Sequence, residues 1–246
     1  MKNGNGLKES DLIKNNKSFF EHLSELNRRS LLVISSIFAA SIPSWFLYEA
    51  FVDLLLIPIE RIGLNQNSLV VHQVTEALQV KLSVVIFLSF YICLPIIIYN
   101  IAAFLIPAAS KQYKKISWFL TLLSLLFFYG GAFFAYYNLH LAMDFFFSFT
   151  DVTVGIRSQY YFHFIFRFIL FIGIFFQFPI VVAVLVMNKV IQVSYLINKR
   201  REIFVLILFT AAVITPTGDP ISLILVTLPT YVFYELLIFI LKRKFD

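Results

Sequence analysis

The residues that could do chemistry in this 246-residue chain are few and far apart. A zinc protease needs an HExxH pair and a nucleotide site needs a Walker or GxGxxG loop, and the sequence contains neither. The single cysteine, Cys93, can form no intrachain disulfide and no Cys-ligated cluster. The histidines are isolated, with no second ligand at metal-site spacing: His22, His72, His140 and His163. We therefore expect no enzyme activity, no metal site and no cofactor.

Residues 18–30, SFFEHLSELNRRS, form the most informative polar segment. Ser18 and Glu21 fit a capping box, and the apolar residues that follow have helical spacing, which predicts a short helix at a membrane surface. Glu25 and Arg29 have the favourable i,i+4 order of an ion pair. Two interpretations of Glu25 are open: an internal pair with Arg29, or a carboxylate that receives an arginine of a bound peptide bidentately.

The composition indicates that lipid surrounds most of the chain. Of its residues 60% are hydrophobic and 14% charged, with mean hydropathy +0.84, whereas soluble domains have about 45–50% apolar and about 25% charged residues. Long uncharged runs predict an all-α polytopic membrane protein with six transmembrane helices. A polar tail, residues 1–17, precedes one membrane domain, residues 18–246, with spans at about 30–50, 80–104, 116–140, 164–187, 202–217 and 220–241.

The distribution of Lys and Arg predicts the orientation. Only Arg61 and Arg157 fall on one side, while Lys81 and Arg167 lie at helix ends, where a long side chain can reach the interface. The other side holds sixteen: Lys2, Lys8, Lys14, Lys17, Arg28, Arg29, Lys111, Lys114, Lys115, Lys189, Lys199, Arg200, Arg201, Lys242, Arg243 and Lys244. Both termini are therefore expected on the cytoplasmic, matrix or stromal side. The first 29 residues lack the apolar core of a cleaved signal peptide, and no nucleic-acid-binding motif accompanies the positive charge.

The last two predicted spans contain the remaining unusual features. Both look short, since about 16 residues at 1.5 Å each reach about 24 Å across a core near 30 Å, and local thinning of the bilayer would relieve this mismatch. Glu235 is the carboxylate expected inside a span, as a proton carrier or as a helix-end group beside the basic residues 242–244. In the fourth span, Gln177 next to Pro179 could bond to a partner helix or within its own bundle.

Several segments in order resemble the TatC family, the signal-recognising subunit of the twin-arginine protein translocase. The resemblance covers about residues 18–241 and includes Pro58 after a hydrophobic run. The segments are HLSEL at 22–26 followed by two arginines, TEALQVKLS at 75–83, LFFYGGAFFAYY at 126–137, FFQFPIVV at 175–182 and ITPTGDPISLILVTLPTYVFYEL at 214–236. Asn27, Tyr113 and Gln177 occupy positions where the family usually has charged residues.

The resemblance implies a receptor for the signal peptides of folded cargo that recruits single-span subunits of TatA and TatB type for export driven by the proton gradient. It implies signal-peptide binding by Glu21, Glu25, Arg28, Arg29, Pro58 and Tyr113, and partner contact by Gln177, Pro179, Asp219 and Glu235. The expected partners are these subunits, the signal peptides, membrane lipid and further copies of the chain.

The membrane is expected to be a mitochondrial inner membrane or a plastid thylakoid membrane, because 30 Phe and few Gly suggest an A+T-rich organelle gene, or else a bacterial plasma membrane. The alternative function is a small-solute transporter or a membrane-enzyme subunit, although the sequence shows neither the internal repeat nor the mid-membrane acids of a transporter.

Overall fold

The computed structural model describes residues 5–63, 69–71, 73–105, 111–149, 155–215 and 220–245, with side chains from Leu23 onward except at 74, 105, 111–117, 221, 244 and 245. Helices dominate this part of the chain, in agreement with the expected all-α class. The elements are α1 (Asn5–Phe46), α2 (Tyr48–Arg61), β1 (Leu69–Val70), α3 (Val74–Leu105), α4 (Lys111–Phe147), β2 (Ile156–Arg157), α5 (Ser158–Phe175), α6 (Phe178–Met187), α7 (Val193–Asn198), α8 (Arg200–Ile214) and α9 (Pro220–Phe245).

Five segments of the described residues are long and apolar enough to cross a membrane. They are Leu23–Phe46, Thr75–Phe104, Trp118–Phe147, Ser158–Met187 and Ser222–Arg243. The polytopic membrane architecture expected from the composition is thereby confirmed. The fifth of the six predicted spans corresponds to α8, which has 15 residues and reaches about 22 Å, so its crossing of the membrane stays a prediction. The last helix, α9, has 26 residues, and the expectation that it is short is wrong.

Helix α1 unites the predicted surface helix and the first predicted span. Its backbone is continuous from Asn5 to Phe46 and passes through the boundary between the predicted tail and the membrane domain. Pro43 lies in its last turn, and α2 follows directly after Leu47. Helix α1 packs mainly against α3, where the Ser89 hydroxyl donates to the Ser44 hydroxyl at 3.0 Å. Since α3 returns antiparallel to α1, the end of α3 lies at the same end of the bundle as Glu25.

The opposite end of the bundle is closed by α2, β1 and β2, which we call the cap. The two strands are parallel, with Leu69 paired to Ile156 and Val70 paired to Arg157. Helix α2 is amphipathic and buries Leu55, Leu56, Pro58 and Ile59. The cap therefore ties the chain between α1 and α3 to the chain between α4 and α5.

Two prolines inside helices leave carbonyl groups that tyrosines on α4 then satisfy. Proline has no N–H, so Pro58 in α2 cannot bond the carbonyl four residues earlier, and Tyr136 donates its hydroxyl to that carbonyl, of Leu54, at 2.6 Å. Pro95 in α3 likewise leaves the carbonyl of Tyr91 without a donor from its own helix, and the Tyr129 hydroxyl donates to this carbonyl at 2.8 Å. The carbonyl of Tyr91 lies within the span Thr75–Phe104, where the membrane interior offers no water to do this. In both helices a tyrosine of α4 supplies the missing donor.

The core between the helices is built from aromatic rings, with glycines where the helices approach most closely. Phe87 on α3 stacks on Phe166 on α5, with ring centroids 4.1 Å apart, and Phe127 on α4 stacks on Phe233 on α9 at 4.4 Å. A Cβ on Gly131 would lie 2.8 Å from Cγ of Phe176. The missing side chain of this glycine is what permits α4 to approach the end of α5.

Candidate functional site

Glu25 and Arg29 form an ion pair on the surface of α1. The Arg29 guanidinium donates to Oε1 of Glu25 from Nη2 at 2.7 Å and from Nε at 3.0 Å. The Glu25 side chain is 45% exposed and that of Arg29 is 26% exposed. The internal pair expected from the i,i+4 spacing is therefore present, and any guanidinium that reaches Glu25 from outside must compete with Arg29.

The other residues predicted to bind a signal peptide lie at two different ends of the bundle. Arg28 is exposed beside the Glu25 pair. The backbone of Glu21 belongs to α1 and that of Tyr113 to the first turn of α4, at the Glu25 end, but their side chains lie outside the described set. Pro58 is buried in the cap, at the far end of α1, and α1 covers about 32 Å between Glu25 and Phe46. The structure thus does not bring Pro58 together with Glu25.

Gln177 bonds within its own bundle. It lies at the break between α5 and α6, and its Nε2 donates to the carbonyl of Ser124 on α4 at 3.1 Å. The Ser124 hydroxyl donates in return to Oε1 of Gln177. Pro179 is buried in the first turn of α6 and lacks the N–H that would continue α5 into α6. Of the two interpretations of Gln177, the bond within the bundle is present, and contact with a partner helix stays a prediction.

Glu235 joins the last two helices. It accepts a hydrogen bond from the Tyr231 hydroxyl at 2.8 Å. It also forms an ion pair with Arg200, whose Nη2 lies 3.2 Å from the carboxylate, and its side chain is 28% exposed. The charged partner is thus Arg200 at the start of α8, whereas the sequence suggested the cluster 242–244. Asp219, the other acid predicted to contact a partner, lies outside the described residues.

The pair of Glu76 and Arg157 was not anticipated from the sequence. Glu76, in the first turn of α3, is 1% exposed, and its Oε1 accepts from Nε of Arg157 at 3.0 Å and from the backbone N–H of Gln159 at 3.4 Å. The guanidinium also lies over the ring of Tyr160, 5.3 Å from its centroid. The hydrogen bond to Glu76 raises the pKa of Arg157 further above its ordinary value, so Arg157 keeps its positive charge.

One signal could have indicated this pair. Arg157 is one of two basic residues in the connections on the side that is poor in positive charge, and Glu76 stands at the start of an apolar run. A carboxylate at the membrane boundary near an isolated arginine is typical of an ion pair, although the 81 positions between them leave no local spacing to detect it.

These features define a class: a polytopic membrane protein with an aromatic core, a cap tied down at one end, and a charged, exposed helix surface at the other. Residues 21–229 match the family described as Sec-independent protein translocase protein (TatC), and the chain belongs to this family.

Relatives and solved structures agree with this assignment over most of the chain. A TatC protein of Carboxydothermus hydrogenoformans is 28% identical, with 92% of this chain and 93% of the relative covered. The TatC protein of Rickettsia prowazekii is 30% identical, with 89% and 90% covered. A crystal structure described as the twin-arginine translocase receptor TatC in DDM has a TM-score of 0.70 and 28% identity, covering 89% of this chain and 98% of that one.

The expected function is therefore confirmed at the level of the complex. The chain is an integral multi-pass membrane protein and a receptor subunit of the twin-arginine protein translocase. The alternative of a small-solute transporter or a membrane-enzyme subunit is not favoured.

Proposed function

We propose that this chain binds the twin-arginine signal peptides of folded cargo at the end of the bundle that carries Glu25. The supporting observation is the geometry of the Glu25 and Arg29 pair, in which an exposed carboxylate already accepts a guanidinium through two nitrogens. A peptide arginine carries the same planar group and can take the same bonds. The exchange of one guanidinium for another conserves the hydrogen bonds, so the internal pair keeps Glu25 oriented until a peptide arrives.

Neighbouring residues of the same end would complete this surface. Leu23 and Leu26 are exposed beside Glu25 and offer apolar contact to the hydrophobic part of a signal peptide. Glu21 and Tyr113 are on elements of the same end and remain candidates for a second contact. Pro58 would act through the cap, since it is buried about the length of a span away.

Single-span subunits of the TatA and TatB type, and further copies of this chain, would associate through helix faces that the described fold leaves uncovered. On α1 such residues include Phe38 at 77% and Phe46 at 82% exposure, and on α8 Val213 at 72%. Six helices of about 10 Å diameter leave a central space of about 10 Å, whereas a 100-residue domain has a radius of gyration near 13 Å. Folded cargo therefore requires an assembly larger than this chain. The chain itself would catalyse no reaction, and the proton gradient would drive the export.

The short helix α8 supports thinning of the bilayer beside it. Because Arg200 pairs with Glu235, the charged start of α8 lies beside Glu235 on α9. Glu235 precedes Lys242 by seven residues, which is about 10 Å of helix. Lys199 and Glu202 form a further ion pair at 2.8 Å at this level. Water and headgroups would have to reach these charges, and so a thinner bilayer is expected on this flank.

The membrane would be that of an organelle or of a bacterium. Relatives include bacterial TatC proteins and two tatC-like proteins, ymf16 of Reclinomonas americana, 28% identical, and ycf43 of Gracilaria tenuistipitata, 29% identical.

The proposal is tested by titrating the purified chain with a fluorescent signal peptide that carries either two arginines or two lysines. We expect the arginine peptide to bind about tenfold more tightly, because lysine cannot form the planar bidentate contact. A peptide with the same apolar segment and two glutamines reports binding by the apolar part alone. Equal affinity for the arginine and lysine peptides would contradict the proposal.

A further inference from the structure

An aromatic groove runs along α4, and nothing in the described fold fills it. It is a cavity of about 270 Å³ between α4, the end of α5 and α9. Its wall on α4 extends from Leu126 through Gly130 and Phe133 to Tyr137, and Phe233 on α9 forms the facing wall. Phe133 is 71% exposed and Leu126 is 61% exposed, so the groove is open to the surrounding lipid.

The groove is too small to hold a helix. Leu126 and Tyr137 are eleven positions apart on α4, which corresponds to about 16 Å of helix. Over that length a helix of about 10 Å diameter fills about 1,300 Å³, whereas the volume of the groove is about 270 Å³. A partner helix or a second copy of this chain could therefore cover the groove but not enter it, and a slender acyl chain is the occupant that its size favours.

Gly130 keeps the groove deep. A glycine inside a helix is less favourable than alanine by about 1 kcal/mol, so its presence on an exposed helix face calls for a local reason. A Cβ at Gly130 would meet no atom within 4 Å, whereas at the neighbouring Gly131 it would lie 2.8 Å from a ring carbon of Phe176. Helix packing thus accounts for Gly131 but not for Gly130, and a side chain at Gly130 would occupy the groove.

A positive charge stands at the cap end of the groove. Arg61, the last residue of α2, is exposed, and its guanidinium carbon lies 5.5 Å from the ring centroid of Tyr137. Among the ion pairs of the described residues, none involves Arg61. The stacked tyrosine orients the guanidinium, whose donors fit a phosphate group.

We propose that the groove binds one anionic phospholipid from the leaflet on the cap side, with an acyl chain against Gly130 and Phe133 and the headgroup phosphate on Arg61. The cap would thereby be joined to α4 by a lipid as well as by protein contacts. The two parts of the site make separable contributions: the groove selects for an acyl chain of any lipid, and the arginine selects for negative charge.

Native mass spectrometry of the detergent-purified chain, mixed with dioleoyl phosphatidylglycerol or dioleoyl phosphatidylcholine, tests this site. We expect the wild type to bind phosphatidylglycerol about tenfold more tightly, because both headgroups carry the phosphate but the cationic trimethylammonium group of phosphatidylcholine offsets its attraction to Arg61. Arg61→Gln should lose this preference and bind both lipids equally. Arg243→Gln is the matched control, because Arg243 is an exposed arginine near the end of α9 that does not line the groove, and it should leave the preference unchanged.

Filling the groove tests the acyl-chain half of the proposal. Gly130→Leu should reduce the binding of both lipids about tenfold or more, and its unchanged elution and thermal unfolding would show that the fold is intact. In Phe133→Trp, brominated phosphatidylglycerol should quench the added fluorescence more strongly than brominated phosphatidylcholine. The proposal is overturned if Gly130→Leu or Arg61→Gln binds phosphatidylglycerol as the wild type does. It is overturned equally if Gly130→Leu keeps its lipid but releases a single-span protein or changes the oligomeric state.

Discussion

The two ends of the bundle each carry a glutamate and arginine pair, but in very different surroundings. At the cap end, the carboxylate of Glu76 in α3 is 1% exposed and accepts hydrogen bonds from Arg157 and from a backbone N–H. At the other end, the carboxylate of Glu25 is 45% exposed and its arginine partner is one turn away on the same helix. The N–O distances are similar, 3.0 Å for Arg157 and 2.7 Å for Arg29.

Burial makes these similar bonds serve different purposes. An exposed ion pair contributes about 0.2–1 kcal/mol, because water replaces either partner at little cost. Removal of one partner from a buried pair costs about 3–5 kcal/mol, because the other charge stays buried without compensation. The Glu76 pair therefore fixes the cap, while the Glu25 pair is weak enough to be exchanged for a ligand. Four substitutions test this difference.

The largest effect is expected for Arg157→Gln. This change leaves the buried carboxylate of Glu76 without its guanidinium, so the free energy of unfolding should fall by about 3–5 kcal/mol. The measurement is unfolding by SDS titration in mild detergent. Arg243→Gln removes an exposed arginine near the end of α9 and should change the unfolding free energy by about 0.5 kcal/mol or less.

The reverse substitution in the same pair sharpens the test. Glu76→Gln leaves Arg157, whose side chain is 29% exposed and can turn to water, and the new amide oxygen can still accept from it. The loss should therefore be clearly smaller than for Arg157→Gln. If the two variants unfold with equal free energies, burial of the carboxylate is not what stabilises the cap.

At the other end, Glu25→Gln should act on binding and leave stability almost unchanged. Loss of a charge-assisted bond to a peptide arginine should cost about 1.5–3 kcal/mol, or roughly 10 to 150-fold in affinity. Peptide titration on the purified variant measures this. Glu202→Gln removes another exposed acid, 59% exposed and bonded to Lys199, and should bind like the wild type. Equal losses in both variants would indicate a general charge effect.

The sequence predicts the Glu25 pair and not the Glu76 pair for a physical reason. Residues four apart on a helix face one another whatever the rest of the fold does, so Glu25 and Arg29 are readable from spacing alone. Glu76 and Arg157 are brought together only by the tertiary fold, in which β1 pairs with β2, and no local rule contains that contact. The same limit leaves Gln177 with two interpretations in the sequence, because its partner Ser124 lies on another helix, α4.

The membrane architecture was predictable because lipid imposes length and composition on each span, and the order of the apolar runs follows from that. The prolines show where this reasoning ends. The sequence shows Pro58 and Pro95, but the donors that compensate them, Tyr136 and Tyr129, lie on another helix. Likewise, Glu235 pairs with Arg200 across two helices rather than with the basic residues that follow it in sequence.

A further substitution, Tyr136→Phe, removes the hydroxyl that donates to the carbonyl of Leu54, which Pro58 leaves without an intrahelical donor. Leu54 is 43% exposed, so the loss should be that of an ordinary hydrogen bond, about 0.5–1.5 kcal/mol in the free energy of unfolding, less than for Arg157→Gln. Tyr137→Phe is the control, since Tyr137 is the next residue of α4 and is 56% exposed. Reversion of the proline, Pro58→Ala, restores an N–H to α2, and the double variant with Tyr136→Phe should regain most of the loss. Failure to recover would mean that the hydroxyl does not act on this carbonyl.

The smallest effect is expected for Arg29→Gln, and its sign separates the two roles of the exposed pair. Loss of an exposed i,i+4 pair should lower the free energy of unfolding by a few tenths of a kcal/mol. If Arg29 only holds Glu25 in place until a peptide arrives, the variant removes a competitor, and the affinity for the twin-arginine peptide should stay equal or rise a few-fold. If the peptide instead needs the preformed pair, for example because Arg29 orients the carboxylate during binding, affinity should fall as it does in Glu25→Gln. A titration of both variants with the same peptide distinguishes these outcomes. If Arg29→Gln loses as much peptide affinity as Glu25→Gln, the exposed pair acts as a unit, as the buried pair of Glu76 and Arg157 does.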